Sequence, residues 1–381
     1  MMKVFWGARL FDGERMIDDH ALLVEDGVVV AVVPVAQRPL GAEDFDLGGG
    51  ILAPGLIDWQ VNGGGGVLFN ETTTVAGIRA IVEAHRTDGT TSLLPTLITD
   101  APQKLEAALA AAAEAWKSVP GALGIHVEGP FIDVRRKGAH PVEFIRTMAL
   151  EDADRLIAAK AGVMLVTLAP AAVSNDLIAR LAQGGIIVSI GHAEATAEEA
   201  QAAFAAGASA VTHLYNAMSQ LGHRQPGLVG AALADPGIFC GFIADGHHVH
   251  ETAARAAFNA KGADGIALIS DAMPPAAGGP KLFRLEGRRV TQIGTRLTLD
   301  DGTLAGAAIT LMDAVRYATR TLGIDLADAL KMATLTPARL LRVDDRIGRL
   351  KPGYRADLVH LGGDLSVRGT WIGGQASGHG S

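Results

Sequence analysis

Eight short apolar runs recur along this chain, beginning near Ile51, Thr91, Leu123, Met164, Ile186, Ala210, Ile238 and Gly265. Between them lie segments such as Gln103 to Trp116, Leu150 to Ala161, Ser174 to Gln183 and Ala195 to Ala206. Their Ala, Leu, Glu and Lys content favours helix. Within the last, Thr196-Ala-Glu-Glu199 has the spacing of a capping box, in which Thr and Glu satisfy each other's free backbone donors at a helix start. A strand followed by a helix, repeated about eight times, predicts an α/β fold of the (β/α)8 TIM-barrel type, which usually occupies about 250 residues. An open, doubly wound sheet is the main alternative, and it would gather its ligand groups at one crevice.

Four of the runs end in residues that do not belong in an apolar core. They read Leu123-Gly-Ile-His-Val-Glu128, Ile186-Ile-Val-Ser-Ile-Gly-His192, Ala210-Val-Thr-His213 and Gly265-Ile-Ala-Leu-Ile-Ser-Asp271. In a parallel barrel the active site is built at the carboxyl ends of several strands at once. A carboxylate facing the barrel mouth is costly unless it is paired or bound to a metal. Two histidines and a carboxylate form a catalytic zinc set with an open position, so Glu128, His192 and His213 are candidate ligands. Asp271 is a fourth ligand, an ion-pair partner or a general base for the water such a metal would activate. His126, two residues before Glu128 and on the same side of its strand, supports the shell from one layer deeper. The pattern is that of a metallohydrolase.

The chain ends have a different texture. Val4-Phe-Trp, Ala21-Leu-Leu-Val-Glu and Val28-Val-Val-Ala-Val-Val33 are short β-branched runs punctuated by Asp12-Gly13 and Asp26-Gly27. Asp-Gly between such runs signals a hairpin. Ala356-Asp-Leu-Val-His-Leu361 and Gly369-Thr-Trp-Ile-Gly373 continue the theme at the other end. These features predict a small β-sandwich built from residues 1–52 and 350–381 around a barrel of residues 53–349. The small, polar tail from Gln375 to Ser381 is expected to fray.

Composition narrows the function classes. In 381 residues, 49% are hydrophobic and 19% charged, which suits a large buried core. The formal net charge of −8 argues against nucleic acid or a membrane surface as a partner. No apolar stretch approaches the roughly 20 residues of a membrane span, and the first residues lack the continuous apolar segment of a signal peptide. The single cysteine, Cys240, forms no intrachain disulfide and sits in an apolar run, Ile238-Phe-Cys-Gly-Phe-Ile243, as a buried inert thiol would. A cytoplasmic protein is the expectation.

Several strings carry a more specific resemblance. Ala53-Pro-Gly-Leu-Ile-Asp58, His126-Val-Glu-Gly-Pro-Phe131, Gly191-His-Ala193, His213-Leu-Tyr-Asn-Ala-Met218, Ser270-Asp-Ala272 and Lys351-Pro-Gly-Tyr-Arg-Ala-Asp357 resemble the amidohydrolase superfamily. Within it they resemble the N-acetylglucosamine-6-phosphate deacetylase family. The resemblance implies that Glu128, His192 and His213 bind one divalent metal, Zn2+ being the expected ion and Fe2+ an alternative, with Asp271 as acid and base. Where most of the superfamily carries His-x-His after the first strand, this chain has Gln60 and Asn62. Neutral amides are poor zinc ligands beside imidazole and carboxylate, so a mononuclear site is expected.

The same resemblance implies that His140 polarises the acetyl carbonyl. It assigns substrate contacts to Ala139, His140, Asn216, Ala217 and His248, and to the turn Leu304-Ala305-Gly306. The family often has Ser at Ala305, so only a backbone contact is expected there. Arg224 matches a phosphate-binding arginine that reaches in from a neighbouring subunit, which implies a homodimer. His247 and His250 are expected at the surface. The implied reaction is hydrolysis of N-acetyl-D-glucosamine 6-phosphate to glucosamine 6-phosphate and acetate, in amino-sugar catabolism. The same amide hydrolysis on N-acetylgalactosamine 6-phosphate or an N-acyl amino acid is the alternative.

Overall fold

Seven of the eight apolar runs fold as the expected barrel strands, and the first divides in two. In the computed structural model, which describes residues 1–285 and 287–376, one parallel sheet holds eight strands. They are β1 (Leu56–Val61), β2 (Thr90–Ile98), β3 (Gly124–Glu128), β4 (Val163–Leu168), β5 (Ile187–Ile190), β6 (Ala208–Val211), β7 (Phe239–Ile243) and β8 (Ile266–Ile269), neighbours in that order. The barrel closes at its carboxyl rim, where Asp271 N–H donates to the Gln60 carbonyl at 3.0 Å and Gly63 N–H to the Ala272 carbonyl at 2.8 Å. Asp58, wholly buried in β1, adds a carboxylate that accepts Ser270 N–H at 3.3 Å across the same seam.

The run beginning at Ile51 does not lead straight into the barrel. Ile51–Pro54 pairs antiparallel with Leu358–Leu361 and parallel with Arg9–Phe11, and the first barrel strand begins only after Gly55. Apolarity is continuous across this break, so hydropathy does not mark it. At the break Gly55 packs closely on β2, where an added Cβ would collide with the Thr91 side chain.

Strands from both chain ends share a sheet, as their texture predicts. Gln375–Ala376, Val367–Ile372, Leu358–Leu361, Ile51–Pro54, Arg9–Phe11 and Met16–Ile17 lie side by side in that order. A second sheet orders Val28–Pro34, His20–Glu25, Lys3–Trp6 and Glu43–Asp46. Phe5, Leu10, Leu22, Leu52, Leu358 and Trp371 belong to one buried cluster drawn from both sheets. Asp26 and Gly27 make the hairpin between His20–Glu25 and Val28–Pro34, with φ of 49° and 80°, the left-handed pair that a two-residue hairpin turn needs. Of the tail expected to fray, Gln375–Ala376 is a short strand, and residues 377–381 lie outside the described residues.

The predicted helices are present as Pro102–Ser118, Leu150–Ala158, Asn175–Gln183 and Ala197–Ala205. The Thr196–Glu199 box forms as its spacing predicts, with Glu199 N–H on Thr196 Oγ1 at 3.2 Å and Thr196 N–H on Glu199 Oε2 at 2.9 Å. Alanines on the inner helix faces, such as Ala108, Ala112 and Ala115 of the first, are buried against the barrel. Among the described residues no helix is long and apolar enough to cross a membrane.

One element is unexpected. After β8 the chain forms an antiparallel sheet of Phe283–Leu285, Arg288–Ile293, Arg296–Thr298 and Leu304–Ala307. Leu304-Ala305-Gly306 is therefore a strand rather than a turn. Its end is tied to the barrel rim, with Ala307 N–H on the Asp271 carbonyl at 3.0 Å.

Candidate active site

Glu128 is the last residue of β3, and His192, His213 and Asp271 each stand two residues beyond the ends of β5, β6 and β8. All three of the latter adopt left-handed backbone, with φ of 47°, 35° and 49°. Such a conformation costs a non-glycine residue roughly 1–2 kcal/mol and persists only where surrounding structure over-determines it. Three instances at equivalent strand ends mark a rim built to aim side chains at one place.

That place is well defined. Glu128 Oε1 lies 3.1 Å from His192 Nε2 and 3.0 Å from His213 Nε2, and the two nitrogens are 3.1 Å apart. All three residues are buried, the histidines each 5% exposed. Two ring nitrogens and a carboxylate oxygen so close share a natural partner in a cation. A tetrahedral ion with bonds of about 2.0–2.1 Å holds its ligand atoms roughly 3.3 Å apart. His192 is oriented for this role, because its Nδ1 bonds the Arg136 carbonyl at 2.8 Å and so turns Nε2 toward the shared point. His213 Nδ1, by contrast, has no hydrogen-bond partner among the described residues. Burial alone would raise the Glu128 carboxyl, but the hydrogen bonds from His192 and His213 hold it well below its usual range. The residues present fit one divalent metal.

His140 is buried rather than exposed on its loop, and its ligand-type atoms lie within 4.8 Å of those of Glu128 and His192. Its hydrogen bonds point to a different role. Nδ1 accepts the Thr99 backbone N–H at 3.3 Å and lies 2.7 Å from Thr99 Oγ1, so the ring proton sits on Nε2. Burial, reinforced by His192, pushes its pKa well below the ordinary value. The result is a neutral imidazole with one N–H donor. Gly129 makes the Thr99 contact possible: with φ of 79°, an added Cβ there would run into Thr99 Oγ1. His126 supports the shell from beneath, held between Thr96 Oγ1 at 3.2 Å and Thr167 Oγ1 at 2.7 Å.

Among the described residues the Asp271 side chain hydrogen-bonds to amides rather than to an imidazole. Its Oδ1 accepts Asn62 Nδ2–H at 2.6 Å and Gln60 Nε2–H at 3.2 Å. Gln60 also reaches Glu128 Oε2 at 3.3 Å, so one amide bridges both carboxylates. Burial, then the Glu128 charge, raises the Asp271 carboxyl to about 6. A carboxyl with an elevated pKa can both accept and return a proton near neutrality.

These residues open into a cavity of 360 Å³, within the range of small-molecule sites. Ala139, His140, Asn216, Ala217, His248, Leu304, Ala305 and Gly306, all expected as substrate contacts, line it together with Glu128, His192, His213 and Asp271. Arg224 does not line it and is exposed on its own loop. His247 and His250 are exposed as expected, and His250 caps the helix Glu251–Gly265. Arg135 and Arg136 also line the cavity, a contribution not foreseen. Their signal was the basic run Arg135-Arg136-Lys137 just before Gly138-Ala139-His140. Arg136 pairs with Glu194 and Arg135 with Asp133, the latter at 2.6 Å.

Comparison with known proteins gives a consistent picture. An amidohydrolase family model matches residues 51–376, and a model described as the NagA composite domain matches residues 4–52. The chain is 40% identical to an N-acetylgalactosamine-6-phosphate deacetylase of Shewanella sp. (strain ANA-3), over 97% of this chain and 94% of that one. It is 35% identical to an N-acetylglucosamine-6-phosphate deacetylase of Haemophilus influenzae, over 94% of this chain and 95% of that one. The crystal structure of an N-acetylglucosamine-6-phosphate deacetylase from Pasteurella multocida superposes with a TM-score of 0.96 at 35% identity, over 99% of both chains.

Proposed function

The chain belongs to the amidohydrolase family, and on that footing we propose that it is a metal-dependent deacetylase of N-acetyl-D-glucosamine 6-phosphate, releasing glucosamine 6-phosphate and acetate. The observation that carries this reading is the convergence of Glu128, His192 and His213 on one point beside a proton-handling Asp271. Those three residues would hold the cation, for which we propose Zn2+, with Fe2+ the alternative that the same donor set accepts. When bound, such a cation supplies Lewis-acid polarisation of an amide carbonyl and acidification of water.

The chain's own residues supply the rest. Asp271, with Oδ1 fixed by Asn62 and Gln60, uses Oδ2 to take a proton from the attacking water. It then returns that proton to the sugar nitrogen as the C–N bond breaks. His140 Nε2–H donates to the acetyl oxygen as charge builds on it, a preorganised donor of the oxyanion-hole kind. Asn216, Ala217, His248 and the strand Leu304–Ala307 border the space for the sugar and its phosphate. Arg224, exposed here, would complete the phosphate site from the partner subunit of a homodimer. A cytoplasmic setting follows for an enzyme whose substrate is a charged sugar phosphate.

The 40% identity to an N-acetylgalactosamine-6-phosphate deacetylase favours a second reading with the epimeric sugar. Acetate release from both sugar phosphates and from unphosphorylated N-acetylglucosamine, on protein of known metal content, separates the cases. A preference for the gluco epimer supports the first reading, and a preference for the galacto epimer replaces it with the second. Equal turnover with and without phosphate overturns both.

A further inference from the structure

The loop that carries His140 is fastened to the segment around His192, and one of its residues is fastened twice. After β3 the chain makes a single turn of 3-10 helix at Val134–Arg136 and runs through Gly138 and Ala139 to His140. The Arg136 carbonyl lies 2.8 Å from His192 Nδ1, while Arg136 Nε pairs with the Glu194 carboxylate. The backbone of residue 136 thus meets the ring of residue 192, and its guanidinium meets the carboxylate two residues further on. Further ties flank this clasp. Asp133 N–H donates to the His192 carbonyl at 2.9 Å, and Arg135 Nη2 to the Glu194 carbonyl at 3.4 Å. Gly138 passes close over the ring, where an added Cβ would lie 3.4 Å from His192 Cε1.

The ion pair does little for the fold as a whole. The Arg136 and Glu194 side chains are 35% and 36% exposed, and pairs so placed are weakened by water and salt. Its leverage is local. A carbonyl at the end of a single turn is not held by the hydrogen-bond ladder that fixes one inside a long helix. The pair anchors the residue whose carbonyl aims the His192 ring, and groups that bond the outer nitrogen of a ligand histidine tune its grip on a metal. Resting on the reading that Glu128, His192 and His213 hold a divalent cation, we propose that Arg136 and Glu194 are a positioning pair. Their contact holds the Arg136 carbonyl against His192 Nδ1 and so raises the affinity of the site for its metal.

Charge alone makes the opposite prediction for one of the two residues. Arg136 lines the cavity, and a positive charge nearby disfavours a bound cation. On charge alone, Arg136→Met binds Zn2+ more tightly and Glu194→Gln less tightly. Under the proposal both bind it less tightly, because each breaks the same clasp. The measurement is the Zn2+ dissociation constant of the metal-free, full-length chain, read by competition with a chelator. The expected loss is about fivefold in each variant, the upper end for a partly exposed pair. The double variant loses no more than either single one, because the two residues act as a unit. Arg136→Lys, which keeps the charge without the planar fork, recovers part of the affinity. Urea midpoints stay near wild type throughout. Tighter binding by Arg136→Met, unchanged affinity in either single variant, additive losses in the double, or a lysine no better than methionine overturns the proposal. So do losses that track a lowered urea midpoint. A wild-type chain that takes up neither Zn2+ nor Fe2+ overturns instead the metal-site reading, and is seen before any variant is made.

Discussion

Asn62 Nδ2 lies 2.6 Å from Asp271 Oδ1, and both groups are buried. With Gln60 at 3.2 Å on the same oxygen, the amides commit one edge of the carboxylate and leave Oδ2 for chemistry. Asn62→Leu removes the shorter bond without adding a charge. A hydrogen bond to a charged group contributes about 1.5–3 kcal/mol, so kcat is expected to fall roughly 10- to 100-fold. Metal content is expected to stay at the wild-type level, since Asn62 touches none of Glu128, His192 or His213. Elemental analysis beside steady-state kinetics checks both, and parallel loss of metal would place Asn62 in the metal shell instead.

Glu128 is the group on which both histidines converge, at 3.1 and 3.0 Å. Glu128→Gln keeps the shape but replaces an anionic ligand with a neutral amide, a weak partner for a zinc-type ion. Metal per chain is expected to drop at least tenfold after dialysis, by the scale on which even outer-shell changes cost 10- to 100-fold in affinity. Activity should fall in proportion and recover in part at high added metal. Full occupancy in the variant would show that the imidazoles suffice.

Much of this was legible because the information is local. A strand, an Ala-rich helix and a polar residue at a strand end can each be read within a dozen residues, and a barrel repeats that unit. Asp271, His192 and His213 were visible for this reason. What escaped depends on distant partners. Thr99 and His140 are 41 positions apart, and no spacing rule pairs them. Arg135 and Arg136 stand in a basic run whose place beside the cavity is set only by the folded loop. The strands of Phe283–Ala307 are short and rich in Arg, Thr and Gly, without the apolar density that marked the barrel. The division at Gly55 is invisible to hydropathy because both sides of it are buried.

Asp58 gives the fold a pH signature. Burial raises its carboxyl to about 7, although hydrogen bonds from Ser270 and Gln60 oppose the shift. The folded protein then binds a proton that the unfolded chain releases near the ordinary aspartate value. Between those two pKa values the native state holds more protons, so this group makes stability fall as pH rises from about 4 to 7. The full effect is at most about 4 kcal/mol, at 1.36 kcal/mol per pKa unit. Asp58→Asn keeps a carbonyl oxygen at the seam and removes the titration. Unfolding free energies measured from pH 5 to 8 should therefore show a less negative slope in the variant than in the wild type. Parallel slopes would mean that Asp58 is ionised throughout.

Arg224 stands apart from the cavity that its own chain forms, on an exposed loop beside Leu221, which is 58% exposed. If it serves the neighbouring site of a homodimer, damage to it should be repairable by a partner damaged elsewhere. Arg224→Ala and Asp271→Asn are each expected to be nearly inactive as homodimers. In a two-fold dimer mixed from both, one site combines an intact Asp271 with an intact Arg224 donated across the interface, and the other site lacks both. Random reassembly of equal amounts makes half of the dimers mixed, each with one working site of two, so about a quarter of wild-type activity should return. An arginine acting within its own chain predicts none, because every site in the mixture would then carry one of the two lesions.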